Sequence, residues 1–463
     1  MQRIQERFQL KPLVEAPLEP QTSESNKYID GDNFYQGVSF SPDALCLLTC
    51  RQNKLLLFNT CLQGEDWKPA VDYKTGDSVR CYQWYPQMQS NNPASCCFLG
   101  VSRDQPVHLY DAYTGQIRAT YRPYNSLDEL DSPNAFSFLH QGQHFVTGGF
   151  RRERELQIFD LARPGRDALV TLKLGKTRKS SDGQKGLVSS LRYSSYHNLI
   201  ACGTYAPGSI YLYDARAQSA PTQQVVVSGH CVVGHGKAHS RKRKHYAAAA
   251  ANNDNDNDIN NNTNAGNNGN DDQTVNFSSA KIKWFQSRAS PGVTQLEFSE
   301  DGGNFLYSLS RRSNAVLQWD LRKLATTNKP FCPGINSFET DNDTNQRLEF
   351  ALHQNHLFVG GKDSCVRVYD CNGSSSGEVA ILKGDFDNDN SVNGISVTSL
   401  GDKTLMASAT GSRSFPTDAD YDDNDDDNDA DQTPTASSGS SIRIHELPNF
   451  QGPVSEPKVR WAE

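Results

Sequence analysis

Short runs in which apolar and polar residues alternate recur along the chain, each ending on an acid or its amide. Ala315-Val316-Leu317-Gln318-Trp319-Asp320 is the plainest of them. The same shape returns at Leu55–Asn59, Val107–Asp111, Leu156–Asp160, Ile210–Asp214, Val366–Asp370 and Ile442–Glu446. Alternation with period two places one set of side chains on each face of a strand. The last residues of the seven copies lie 52, 49, 54, 106, 50 and 76 positions apart. A repeat of roughly 40–50 residues made of short strands predicts a β-propeller, with four-stranded blades packed face to face around an axis. A single blade cannot bury both faces, so the ring must close.

Turn chemistry supports this division. Ser41-Pro42-Asp43 separates Gly37–Phe40 from Leu45–Thr49, with proline presetting the bend and aspartate hydrogen-bonding it. Further blades run from Val79 to about Tyr121, from Ala135 to about Leu172 and from Leu187 to about Val227. Blade five opens at Val293, blade six runs from Arg347 to about Leu382, and blade seven contains an insertion. The two long spacings coincide with Asn/Asp-rich tracts, at about 231–290 and 417–440. These carry too little apolar surface to offset the entropy of ordering and read as disordered. The expected organisation is an all-β, seven-bladed WD-repeat β-propeller over residues 33–449, flanked by segments 1–32 and 450–463. The strand-like piece Phe8–Val14, or Lys458–Trp461, supplies the outermost strand that closes the last blade; the pattern alone leaves both open.

Charge changes the picture only through its placement. The chain of 463 residues has a net charge of -8, but fourteen aspartates lie in the two tracts, and without them the remainder is +6. Lys237 and the run Arg241–Lys244, also in low-complexity sequence, account for five of those positive charges. Eleven cysteines occur without any C-x-x-C pair, a pattern of reduced thiols in an intracellular protein. No apolar run resembles a signal peptide or spans ~18 residues, so a soluble protein without membrane contact is expected.

No enzyme constellation is present: there is no phosphate-cradling glycine loop, metalloprotease helix motif or nucleophile elbow. His230, Cys231, His235, His239 and His245 are dense but lack a paired-Cys framework, so no metal and no cofactor is expected. In a propeller, turns joining second and third strands share a face with loops leading into the next blade. Six of the seven such turns are basic, with Arg51 and Lys54, Arg103, Arg151 with Arg152 and Arg154, Arg311 with Arg312, Lys362, and Arg413. Phe150, Tyr205 and Phe415 are interleaved. Cations neutralise phosphates and exposed aromatics stack unpaired bases, a combination suited to single-stranded RNA. A basic residue before the Asp of such a turn also occurs as plain hairpin punctuation facing water. The run Arg241, Lys242, Arg243, Lys244 reads as a nuclear-import signal.

Words within these loops resemble a known family. Gln105–Gly115, followed by Tyr124-Asn125-Ser126-Leu127-Asp128-Glu129-Leu130, is similar to the telomerase Cajal body protein family, WD-repeat chaperones of small Cajal body RNAs. The likeness continues at Gly148-Gly149-Phe150, Ala162–Asp167, Thr344-Asn345-Gln346-Arg347, Asn393–Ser396 and Ala409–Pro416. It implies a propeller that binds box H/ACA RNAs through a short loop element, the CAB box. It further implies nuclear localisation in Cajal bodies, box H/ACA RNP proteins as partners and, in some lineages, delivery of telomerase RNA. The two Asn/Asp insertions depart from the family pattern.

Together these readings predict a non-enzymatic, monomeric RNA-binding propeller directing small Cajal body RNA, or telomerase RNA, to Cajal bodies. Phosphate contacts are expected from Arg151, Arg152, Arg311, Arg312 and Arg413, and Arg347 is expected among the RNA-binding residues. Stacking falls to Phe150, Tyr205 or Phe415, and base-edge hydrogen bonds to Asn125, Asn345, Gln346 and Asn393. Arg163–Asp167 follows a third strand and is expected on the opposite face, as a turn or a protein-docking site. The rival reading is a protein–protein scaffold in a nuclear RNP or splicing complex without direct RNA recognition.

Overall fold

A computed structural model of the chain describes residues 6–17, 34–60, 67–174, 184, 186–205, 208–215, 225–228, 231–233, 274–277, 280–284, 292–322, 334–342, 344, 346–371, 378–384, 390–412, 440–448 and 450. All seven repeats are third strands of four-stranded antiparallel blades. Blade one is Gln36–Phe40, Cys46–Arg51, Lys54–Asn59 and Val71–Lys74. Blade two is Val79–Trp84, Cys97–Ser102, Val107–Asp111 and Ile117–Tyr121. Blade three is Ala135–Leu139, His144–Gly148, Glu155–Asp160 and Val170–Lys173. Blade four is Val188–Ser194, Leu199–Thr204, Ser209–Asp214 and Val225–Ser228. Blade five is Val293–Phe298, Phe305–Ser310, Ala315–Asp320 and Gly334–Glu339. Blade six is Phe350–His353, His356–Gly360, Cys365–Asp370 and Glu378–Gly384.

Blade seven takes three strands from the end of the ring, Val392–Leu400, Lys403–Thr410 and Ser441–Glu446, and its outer strand from the N-terminal region. Val14–Pro17 lies antiparallel on Ser441–Glu446, pairing Val14 with Ile444 and Ala16 with Ile442. The outer strand thus comes from Val14–Pro17, overlapping the expected Phe8–Val14 only at Val14, and Lys458–Trp461 lies outside the described residues. The N-terminal segment also goes further than expected. Glu6–Leu10 adds a fifth, parallel strand to the outer edge of blade six. Within the stretch expected to be low-complexity, Cys231–Val233, Thr274–Phe277 and Ala280–Trp284 pair into a small separate sheet.

The core lies between blades, and the strand alternation creates it. In blade one, Leu47, Leu56 and Phe58 pack on Leu405, Ala407, Ile442 and Ile444 of blade seven. Their sequence neighbours Leu48, Leu55 and Leu57 pack the other way, on Trp84, Phe98 and Tyr110 of blade two. The remaining clusters fill the seams two–three, three–four, four–five, five–six and six–seven in the same manner. Buried apolar area on both faces of every blade is what obliges the ring to close. The acids ending the third strands of blades two, three and five organise the turns that follow. Asp111 accepts the Tyr113 and Thr114 N–H groups, both at 2.8 Å, and pairs with Arg118 at 2.8 Å. Partial burial works against its charge, yet these donors hold the carboxyl below its usual range.

Five of the innermost strands open with a register shift, a β-bulge, leaving Gly37, Arg80, Ser189, Thr294 and Asn393 as the extra residues. At the closing seam the bulge needs glycine. A Cβ on Gly394 would stand 2.4 Å from the Cα of Gly37, which itself sits at φ +77°.

Candidate nucleic-acid interface

Hydrogen bonds tie the second-to-third-strand turns to the loops that lead into the blades, most often into the turn's own blade. Val79 N–H donates to Gln52 at 2.9 Å, Arg103 N–H to Ser78 at 2.9 Å and Tyr205 N–H to Leu187 at 2.9 Å. Arg311 N–H donates to Gly292 at 2.9 Å and Lys362 N–H to Asp341 at 2.8 Å. In blade three the bond comes from side-chain capture, with Asp131 accepting the N–H groups of Arg151 and Arg152 at 3.1 and 3.2 Å. The topology therefore puts Arg51, Lys54, Arg103, Arg151, Arg152, Arg154, Arg311, Arg312 and Lys362 around one opening of the ring.

The innermost part of this rim is where cations and an aromatic converge. Arg347, just before blade six, donates from Nη1 to the carbonyl oxygen of Arg80 in blade two, 3.3 Å away across the central opening. Its side chain is enclosed by the ring yet keeps 44% of its surface open to the channel. Burial works against its charge, but Glu349, 3.5 Å distant, and further neighbours including Tyr205 hold the guanidinium above its usual value. Arg80 behaves oppositely. Burial and the adjacent Arg151 pull it down, with Asp104 acting against them. Arg151 itself pairs with Asp104 at 3.3 Å and is 56% exposed. Opposite, the Arg311 guanidinium lies 5.4 Å from the centre of the Tyr205 ring. Gly292 makes that approach possible, because a Cβ there would stand 2.6–2.7 Å from the Tyr205 backbone.

Deeper in the channel the lining is polar and paired. Glu297 meets Arg192 at 2.8 Å, and Gln295 exchanges two hydrogen bonds with the Phe350 backbone, at 2.8 and 2.9 Å. Burial raises both Glu297 and Glu349, against the pull of Arg192 and Arg347 respectively. The mouth thus brings together four guanidiniums, from Arg80, Arg151, Arg311 and Arg347, with two carboxylates, from Asp104 and Glu349. An anion placed there gains from the excess of positive charge.

Several residues expected in this site are placed differently. Phe150 is 4% exposed, so its ring packs inside and has no free face for a base. Gln346 and Asn393 are buried, at 6% and 1%. The Gln346 amide donates to Asn393 and to the Gly411 carbonyl, while Asn393 donates to Gly411 at 2.9 Å and to Tyr35 at 3.1 Å. They suture blades six, seven and one. Asn125 caps its own loop, accepting the Leu127 and Glu129 N–H groups at 2.9 and 3.0 Å. Arg152 is paired with Glu129 at 2.5 Å, and Arg312 stands exposed at the tip of its turn with φ +51°. Arg413, Phe415, Asn345 and the run Arg241–Lys244 lie outside the described residues.

The turn Arg163–Asp167, expected on the far face, is a correction. It starts there but climbs the outer wall of the ring. Gly165 bonds to both Thr120 and Arg122 of blade two, at 3.0 and 2.8 Å. Arg166 reaches Asp128 and lies 4.6 Å over the Tyr124 ring, on the loop leading into blade three. Backbone pairing beside Tyr121 outweighs the tendency of a turn to stay where its strand ends. Arg80 is the site residue the pattern missed, since it sits in a strand rather than a turn. Its only signal is a charged residue inside an apolar-alternating run.

A closed ring of seven antiparallel blades whose repeats end on an acid or its amide is a WD-type β-propeller, with no α-helix among its described residues. No family model matches the chain. Over 83% of its length it is similar to curated proteins named Telomerase Cajal body protein 1. It is 27% identical to that of Rattus norvegicus over 402 residues and 26% to that of Homo sapiens over 400. A Drosophila melanogaster protein, Telomerase Cajal body protein 1 homolog, is 22% identical over 359 residues, or 74% of this chain. The chain spans 60%, 58% and 51% of these relatives' lengths.

Proposed function

We propose that the chain is a non-enzymatic, RNA-binding propeller of the telomerase Cajal body protein type, working in nuclear Cajal bodies. Its cargo is small Cajal body RNA, including telomerase RNA where that is delivered, and its protein partners are those of box H/ACA particles. The observation that carries this reading is the convergence of Arg80, Arg151, Arg311 and Arg347 with Tyr205 at one mouth of the ring. Unpaired RNA offers phosphates to the guanidiniums and a base face to the aromatic ring. Arg152 and Arg312 extend the phosphate track outward.

The test is Arg311→Glu with Arg312→Glu, followed by crosslinking and recovery of bound RNA. Recovery falls at least tenfold while the melting temperature is kept. Unchanged recovery sinks the rim as an RNA surface and leaves a protein scaffold as the better reading.

A further inference from the structure

The face opposite the basic rim carries the turns that follow the third strands, and most of its acids are already engaged. Asp111 holds Arg118 at 2.8 Å, Asp320 holds Arg322 at 2.9 Å and Glu446 holds Lys403 at 2.7 Å. Glu300 and Asp301, in the first turn of blade five, differ: among the described residues neither forms a salt bridge with a lysine or arginine. Both are exposed, and both line a shallow surface cleft between blades five and six.

The walls of that cleft are Phe305, Tyr307 and Leu352, with Asn355 and Cys371 beside them. Burial pushes the Cys371 thiol up to about 12, so it stays neutral. Glu300 is fixed, since its Oε2 accepts the Gln354 N–H at 3.1 Å from the facing turn of blade six. The fold already makes one contact of the relevant kind here. The Arg322 guanidinium lies 4.9 Å from the centre of the Phe305 ring while Asp320 holds it by two hydrogen bonds, at 2.9 and 3.0 Å.

We propose that this cleft receives an arginine side chain from a protein partner, its stem along Phe305 and Leu352 and its guanidinium between Glu300 and Asp301. Charge selects the occupant. The two carboxylates repel a phosphate-bearing ligand, and an apolar side chain would leave them unmatched. Lysine matches the charge but lacks the planar group that stacks on an aromatic ring and forks to carboxylates. The surface lies on the opposite side of the ring from the RNA rim and does not depend on it. A protein contact here leaves that mouth open.

Fluorescence anisotropy with the full chain and labelled peptides of alternating glycine with arginine, lysine or citrulline tests this. The arginine peptide binds at least tenfold tighter than the citrulline peptide, with lysine between them. Glu300→Gln with Asp301→Asn lowers arginine-peptide affinity at least tenfold, as does Leu352→Lys, which fills the cleft with a competing cation. Asp402→Asn, on the same face outside the cleft, leaves affinity unchanged. Equal binding of the citrulline peptide overturns the proposal. So does an Asp402 variant that loses as much as the Glu300/Asp301 pair, because binding is then diffuse charge attraction.

Discussion

Arg80 and Asn393 hold the same position in their blades, the bulge opening the innermost strand, and use it oppositely. Asn393 turns into the seam and satisfies two carbonyls, those of Tyr35 and Gly411. Asn393→Ala removes both of these hydrogen bonds and costs about 1–3 kcal/mol. Chemical denaturation reads that loss, while RNA affinity per folded molecule stays level. Arg80 turns toward the channel mouth instead, and Arg80→Gln removes a cation without opening a cavity. RNA affinity falls about tenfold at low salt, the worth of roughly one charge-assisted contact. The slope of log affinity against log salt shrinks by about 0.7 in a titration series, and an unchanged slope takes Arg80 out of the interface. Polar words such as Gln346 and Asn393 look like surface in the sequence because turns are usually wet. Only the approach of blades six, seven and one buries them, and no local pattern encodes that approach. Phe150 misleads for the same reason.

At the scale of elements, the blades were readable because second and third strands are buried on both faces, so short apolar runs return at blade spacing even where the Trp-Asp pair is missing. The bulges were not, since one extra residue leaves the apolar pattern nearly intact. Closure was half readable. Phe8–Val14 looked strand-like, but whether it pairs with blade six or seven depends on partners several hundred residues away. The structure uses both, and the two strands straddle the seam with Leu13 exposed between them. Phe8 also meets Phe450 edge to face at 6.2 Å, bringing the two ends of the described chain onto blade six. Ala16, 3% exposed among Ile442, Ile444 and Leu47, measures how much this strap matters. Ala16→Glu buries a carboxylate without a partner and costs about 3 kcal/mol or more. Leu13→Glu, three residues earlier at a site 40% exposed, changes stability by no more than about 0.5 kcal/mol. Paired thermal melts compare them, and equal shifts would mean that the N-terminal strand is not what closes the ring.

For the whole molecule, the ring separates charge by face, because turns of one kind carry the cations and turns of the other carry the acids that end the repeats. The second insertion breaks that rule. It leaves the ring at Gly411 and returns at Ser440, and both ends are on the basic side. Gly411 N–H donates to Ser391 at 3.0 Å, and the Ser440 hydroxyl donates to the Thr410 carbonyl at 2.6 Å. In the sequence, nine aspartates between Asp418 and Asp431 lie between those two ends. Like charge slows the approach of a polyanion, and the effect dies within a Debye length of about 10 Å at 0.1 M salt. Replacing residues 417–439 by a short Gly-Ser linker therefore raises RNA affinity about three- to tenfold at 20 mM salt, mainly through the association rate. At 0.3 M salt the two proteins bind alike. Stopped-flow association at both concentrations separates this from a structural effect, because a loop that props up the rim would change dissociation, and would do so at either salt.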